Sequence, residues 1–144
     1  MKQKRIHLYN KFVGFITKKG KKPKAKIIFD RALFNVVQKV KIPLNNLLLK
    51  IFLKLNSYIE IKTIKIRKKV HFVPFPTNYR RRVYLVIKWL VTAASENTRR
   101  FSFSKKLSLE ILKLIKNNSS KSMKIKQNNF LKALTNRSNL HFRW

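Results

Sequence analysis

Charge constrains this chain more than any other feature: 36 lysines and arginines stand against four acids, a formal +32 over 144 residues. Self-repulsion of that size opposes compaction and attracts polyanions, so the chain calls for a partner dense in negative charge. Apolar residues still make up 44% of it, enough for one hydrophobic core in a single domain spanning 1–144. A membrane surface would require a long amphipathic helix with bulky apolar residues opposite a basic face. Here the cations fall in clusters between apolar segments. The two most apolar stretches, 44–55 and 83–94, are interrupted by Lys50, Lys54 and Lys88, and neither reaches the roughly 18 apolar residues of a span. Residues 1–7 are basic but lead into no hydrophobic signal core, so neither membrane insertion nor secretion is expected. Nucleic acid fits the charge best.

The kind of cation carries further information. Lys occurs 26 times and Arg 10, Asn 13 times and Phe 11, while Gly occurs twice and Ala five times. Codons for Lys, Asn, Ile and Phe are built from A and U, whereas Gly, Ala and most Arg codons need G or C. The bias points to an AT-rich gene, with a reduced organellar genome as its natural source and an AT-rich microbial or parasite nucleus as the alternative.

Apolar spacing divides the chain into elements. Residues 1–10 are basic and aperiodic and read as an arm, followed by a short apolar helical turn containing Phe12, Val13, Phe15 and Ile16. After the basic loop 18–24, Ala25, Ile28, Phe29, Ala32, Leu33, Val36 and Val37 recur at intervals of three and four, the stripe of an amphipathic helix. Ile42-Pro43 interrupts it, and Leu44, Leu47, Leu48, Ile51, Phe52 and Leu55 form a second stripe. Over 58–76 the period changes to two, with Ile59, Ile61 and Thr63 on one run and Val70, Phe72 and Pro74 on the other. This predicts a β-hairpin arm with the tip Arg67-Lys68-Lys69. The tip lacks the Gly or Asn favoured in tight hairpin turns, so a longer or ligand-ordered loop is expected there. Helical spacing returns with Tyr84, Ile87, Trp89, Leu90, Val91 and Ala94, and then with Leu107, Ile111, Leu114 and Ile115, where Ser104 is the expected N-cap. Residues 117–122 read as a polar loop. A last helix carries Ile125, Phe130, Leu131 and Leu134, and 139–144 form a tail. The fold class is mainly α: a bundle of about six helices with one protruding β-hairpin arm.

So few acids leave little room for catalysis. Asp30, Glu60, Glu96 and Glu110 each have a basic neighbour at a spacing that predicts a local ion pair: Lys26, Lys62, Arg99 with Arg100, and Lys106 with Lys113. None lies near a second acid for general acid–base work. His7, His71 and His141 are scattered, and there is no cysteine, so neither a metal site nor a thiolate nucleophile is expected. Nothing calls for a cofactor or a small-molecule substrate, and the chain reads as a non-enzyme.

The cations themselves gather off the helical stripes. The densest clusters are Lys18, Lys19, Lys21, Lys22 and Lys24, then Arg67, Lys68 and Lys69, then Arg80, Arg81 and Arg82 entering a helix; Lys4, Arg5, Lys62 and Lys65 extend them. Cations on protruding loops with a rigid scaffold behind are what phosphate binding requires. Phe12, Phe29, Phe52, Phe130 and Trp89 are expected in the core. Phe72, Phe75 and Tyr79 either stack on unpaired bases or pack the ribbon onto the bundle. His141, Arg143 and Trp144 form a stacking and charge cluster at a mobile end, where a functional contact is expected.

In their order these features resemble small-subunit ribosomal protein seven of the bacterial and organellar type. Phe12-Val13, Gly20-Lys21-Lys22, Ile28-Phe29 and Ala32 fall at the spacing of its N-terminal signature. Ile59-Glu60-Ile61-Lys62, Val73-Pro74 and Arg81-Arg82 run in register to Trp89, Val91 and Ala93-Ala94. The ending Asn136-Arg137-Ser138 and His141-Phe142-Arg143-Trp144 looks like that of the mitochondrial members. The resemblance implies binding to the three-prime major, or head, domain of small-subunit rRNA, a role in head assembly, and a place lining the mRNA exit path. It puts Lys18–Lys24 on rRNA, Arg80–Arg82 at the base of the arm, and Arg67, Lys68 and Lys69 near exit-site tRNA and mRNA. That tip departs from the glycines the family's arm often carries. The implied neighbours are proteins nine and eleven of the same subunit. The short stretch before Lys11 leaves no room for a transit peptide, so synthesis inside a mitochondrion is expected, with a plastid as the weaker choice. A free basic RNA chaperone or nucleic-acid-compacting protein is the alternative function.

Overall fold

The computed structural model describes residues 2–96, 100–116 and 120–143, with side chains from Leu8 onward. Six α-helices are present among them: α1 (Lys2–Ile16), α2 (Lys22–Val40), α3 (Leu44–Leu55), α4 (Tyr79–Ser95), α5 (Phe103–Ile115) and α6 (Lys121–Thr135). The antiparallel strands β1 (Ile59–Ile66) and β2 (Lys69–Pro76) lie between α3 and α4, and a 3-10 helix (Arg137–Phe142) follows α6. This is the mainly α bundle with a hairpin arm that the apolar spacing predicts. Because the stripes recur every 3.6 residues, each helix buries one face and wets the other. Phe29, Leu33, Leu47, Ile51, Leu55, Leu90, Leu107, Ile111 and Leu114 meet in one core from α2, α3, α4 and α5. The Phe12 ring of α1 stacks on Phe29 at 5.1 Å.

Lys41 closes α2 in the left-handed region (φ 53°), donating its N–H to the Val37 carbonyl at 2.8 Å. Pro43 then stands at the N-cap of α3. The break expected at Ile42-Pro43 is thus real, and it is built with a lysine where glycine is the usual residue.

Several expectations need correction. Residues 2–10 form the first turns of α1 and not an arm. Leu8, Phe12 and Val13 are all buried and continue one face, and Lys, Gln and Arg are good helix formers. The hairpin tip is tight: Ile66 pairs with Lys69, leaving Arg67 and Lys68 as a two-residue turn with Arg67 at φ 52°. Ser102, not Ser104, is the N-cap of α5, and α6 starts at Lys121, inside the expected polar loop, of which 117–119 lie outside the described residues. Phe130 is 52% exposed and not in the core: the face that α6 buries carries Ser122, Met123, Ile125, Asn129 and Ala133. Finally, the tail is folded back on the arm. Asn139 donates to the Phe72 carbonyl and Arg143 to the Pro74 carbonyl, and the Phe142 ring lies 4.6 Å from His71.

Candidate nucleic-acid interface

The turn between α1 and α2 takes two consecutive left-handed residues, Lys19 (φ 50°) and Gly20 (φ 71°). The Lys21 N–H donates to Lys18 O at 3.1 Å and the Lys22 N–H to Gly20 O at 2.7 Å, which closes the turn. Lys18, Lys19 and Lys21 project from it, while Lys22 and Lys24 continue the cluster onto the first turn of α2 beside Pro23. All five are exposed and make no side-chain hydrogen bond or ion pair among the described residues. Cations at a helix N-terminus oppose its macrodipole. A phosphate placed there satisfies both the lysines and the helix end. The arrangement is unfavourable alone and favourable with an anion.

The three arginines entering α4 are not equivalent. Arg80 is exposed and unpaired among the described residues. Arg81 reaches back to β1 and grips Glu60 bidentately, Nε to Oε2 at 2.7 Å and Nη2 to Oε1 at 2.6 Å, with its guanidinium 4.8 Å from the Tyr84 ring centre. That hydrogen bond is the main reason the Glu60 carboxyl is held below its ordinary range. Arg82 is half-buried and lies 4.7 Å over Tyr58, with its Nε buried and unpaired. One arginine therefore faces outward, one fastens the hairpin to α4, and one is packed against an aromatic.

On the arm, Arg67, Lys68 and Lys69 are exposed and unpaired among the described residues. Lys62 and Lys65 are exposed on opposite faces of the ribbon, and Lys62 sits 4.8 Å over Phe75. Phe72 is exposed and Phe75 half-buried, so the ribbon packs on one side and leaves an aromatic out. Of the tail cluster, His141 Nδ1 lies 2.7 Å from the Ser138 carbonyl and Arg143 is spent on β2. The side chains of Lys4 and Arg5, and Trp144, lie outside the described residues.

Other lysines serve the fold itself, which their sequence positions do not reveal. Lys54 Nζ donates to the carbonyls of Leu114 and Ile115 at the end of α5, at 2.8 and 3.0 Å. Lys126 Nζ donates to Lys54 O at the end of α3, at 2.7 Å, and Lys121 Nζ to Glu96 O at the end of α4, at 3.2 Å. Each supplies positive charge and a donor where helix carbonyls are left over. Burial lowers Lys126 below its usual range, and burial followed by Lys50 does the same to Lys54.

The acids also find partners other than the expected ones. Asp30 accepts from the Tyr9 hydroxyl at 2.6 Å, and burial with that bond pushes Tyr9 up to about 12. Glu60 takes Arg81 and not Lys62. Glu110 is buried in α5 and accepts from the Ser122 N–H at 2.9 Å and Oγ at 3.0 Å, capping α6 instead of pairing with Lys106 or Lys113. Of the pair expected for Glu96, Arg99 lies outside the described residues, and no bond to Arg100 is seen among them. Local spacing failed here because long-range partners were nearer. Among the described residues no His, Asp or Glu group gathers to hold a metal, and no helix is long and apolar enough to cross a membrane.

The family model for "Ribosomal protein S7p/S5e" matches residues 1–137. Small ribosomal subunit protein uS7A of Aquifex aeolicus is 31% identical over 140 residues, covering 95% of this chain and 87% of that protein. Protein uS7m of Drosophila melanogaster is 27% identical over 149 aligned positions, 94% and 68% of the two chains. Protein uS7m of Mus musculus is 39% identical over 87 residues, 58% of this chain and 36% of that one.

Proposed function

The chain belongs to the ribosomal protein S7p/S5e family, and from that premise we propose that it binds the three-prime major domain of small-subunit rRNA and organises the subunit head. Its class is that of a structural constituent of the small ribosomal subunit, which acts by binding and not by catalysis. The observation that carries the rRNA assignment is the division among its cations. Lys18, Lys19, Lys21, Lys22, Lys24, Arg67, Lys68, Lys69 and Arg80 stay exposed and, among the described residues, without an internal partner, on a turn, a hairpin tip and a helix entrance. Lys54, Lys121 and Lys126 are spent on helix ends. Phosphates are the natural ligands of the first set.

Within that seat, the α1–α2 turn anchors the rRNA and the arm tip reaches exit-site tRNA and mRNA. The Glu60–Arg81 pair and the folded-back tail supply a stiff base from which the tip can reach. Proteins nine and eleven of the subunit are the proposed neighbours. The AT-biased composition and the likeness to relatives named uS7m support a mitochondrial ribosome as the location.

Cosedimentation with small subunits at moderate salt tests this. Replacing Lys18, Lys19, Lys21 and Lys22 with Ala should weaken rRNA binding and reduce the salt slope by about 0.7–0.9 for each phosphate no longer neutralised. Replacing Arg67 and Lys68 should leave assembly intact and disturb exit-site events. Assembly failure in the tip variant with a normal turn variant would reverse the two roles. Sedimentation only with bulk nucleic acid would favour a free RNA chaperone.

A further inference from the structure

A cleft of about 800 Å³ opens between α1 and α4, with Asn10, Lys11 and Gly14 on one wall and Tyr79, Arg80 and Tyr84 on the other. Its walls are mainly apolar and aromatic, and no acid lines it. Tyr79 is 43% and Tyr84 39% exposed. Both are braced by neighbours: Tyr79 by Phe52 at 5.9 Å, Tyr84 by Phe15 at 5.6 Å and by the Arg81 guanidinium at 4.8 Å. Aromatic rings fixed in place, open to solvent and flanked by Lys11 and Arg80 are the elements of a base-stacking platform beside a phosphate clamp.

Gly14 is a second, independent observation. It is one of only two glycines in the chain and sits inside α1, where glycine weakens a helix relative to alanine. A Cβ added there would meet nothing within 4 Å, so no internal contact demands its absence. Gly14 does line the cleft, so its bare backbone forms part of that wall.

We propose that this cleft receives one unpaired nucleobase of the bound RNA against Tyr79 and Tyr84, with Lys11 and Arg80 on the adjoining phosphates and the bare backbone at Gly14 allowing close approach. This rests on the rRNA reading above and names a contact within it. Asn10 supplies an amide able to meet a base edge.

The test measures full-chain binding to a transcript of the three-prime major domain, together with thermal melting, for Gly14→Ala, Tyr79→Leu and Tyr79→Phe. Gly14→Ala should melt higher than wild type yet bind about tenfold more weakly, the scale of one stacked base. Its salt slope should not change, because every phosphate contact is kept. Tyr79→Leu should lose a similar factor and Tyr79→Phe little. Unchanged affinity in Gly14→Ala or in Tyr79→Leu, or a reduced salt slope in Gly14→Ala, overturns the base pocket while leaving the rRNA reading in place. Failure of the wild-type protein to bind the transcript overturns both.

Discussion

Among the described residues, three that are not glycine, Lys19, Lys41 and Arg67, occupy the left-handed region. Each stands where a chain richer in glycine would place one, and each costs about 1–2 kcal/mol in that conformation. The scarcity of glycine in the composition thus has a structural consequence, which the hairpin makes plain: a two-residue turn forms without its preferred residues. Lys41 lies in a turn with no proposed RNA contact, so Lys41→Gly should raise stability by about 1 kcal/mol without altering RNA affinity, measurable by denaturant midpoint. At the same scale, the Glu60–Arg81 pair makes a pH prediction. The folded carboxyl titrates below its unfolded value, so its contribution is full above the unfolded pKa and is lost as pH falls through the folded one. Arg81 is about half exposed, which limits the contribution to about 1 kcal/mol or less. Wild type should therefore lose more stability than Glu60→Gln as the pH drops below about 4.

Individual helices were legible because apolar spacing reports which face is buried: α2 and α5 follow their stripes, and α3 and α4 do so except at Leu44 and Tyr84, which stay exposed. How the elements fasten to one another was not, because those links join residues far apart in sequence. Lys126 of α6 caps α3, Lys54 of α3 caps α5, and Glu110 of α5 caps α6. These polar links close a ring through three helices, and nothing in local spacing distinguishes their members from solvated charges. Phe130 illustrates the same limit: its helical position suits a core, yet α6 buries the face of Ser122, Met123 and Ala133 instead. Because Glu110 is buried and satisfies a helix-start N–H, Glu110→Ala should cost about 1–3 kcal/mol. Glu110→Gln should recover part of that through its amide oxygen. Chemical denaturation distinguishes the two, and equal midpoints for Glu110→Ala and wild type would remove Glu110 from the ring.

For the whole molecule, +32 is a sum over cations with different work. Some cap helices, Arg81 and Arg143 bond to the arm, and others stay exposed on the α1–α2 turn, the tip and the entrance to α4. The clusters themselves were readable from the sequence; their internal commitments, such as Arg81 on Glu60 and Arg143 on β2, required the fold. A bundle that presents rigidly based cations at separate places should protect separate, defined segments of one RNA, whereas undirected charge would coat RNA uniformly. Hydroxyl-radical footprinting of the three-prime major domain at moderate salt, with and without the full chain, tests that difference most directly. Discrete protections within the head domain, reduced at one segment by the Lys18, Lys19, Lys21 and Lys22 alanine variant and retained at the others, are the predicted result. Diffuse protection spread evenly along the transcript would contradict it.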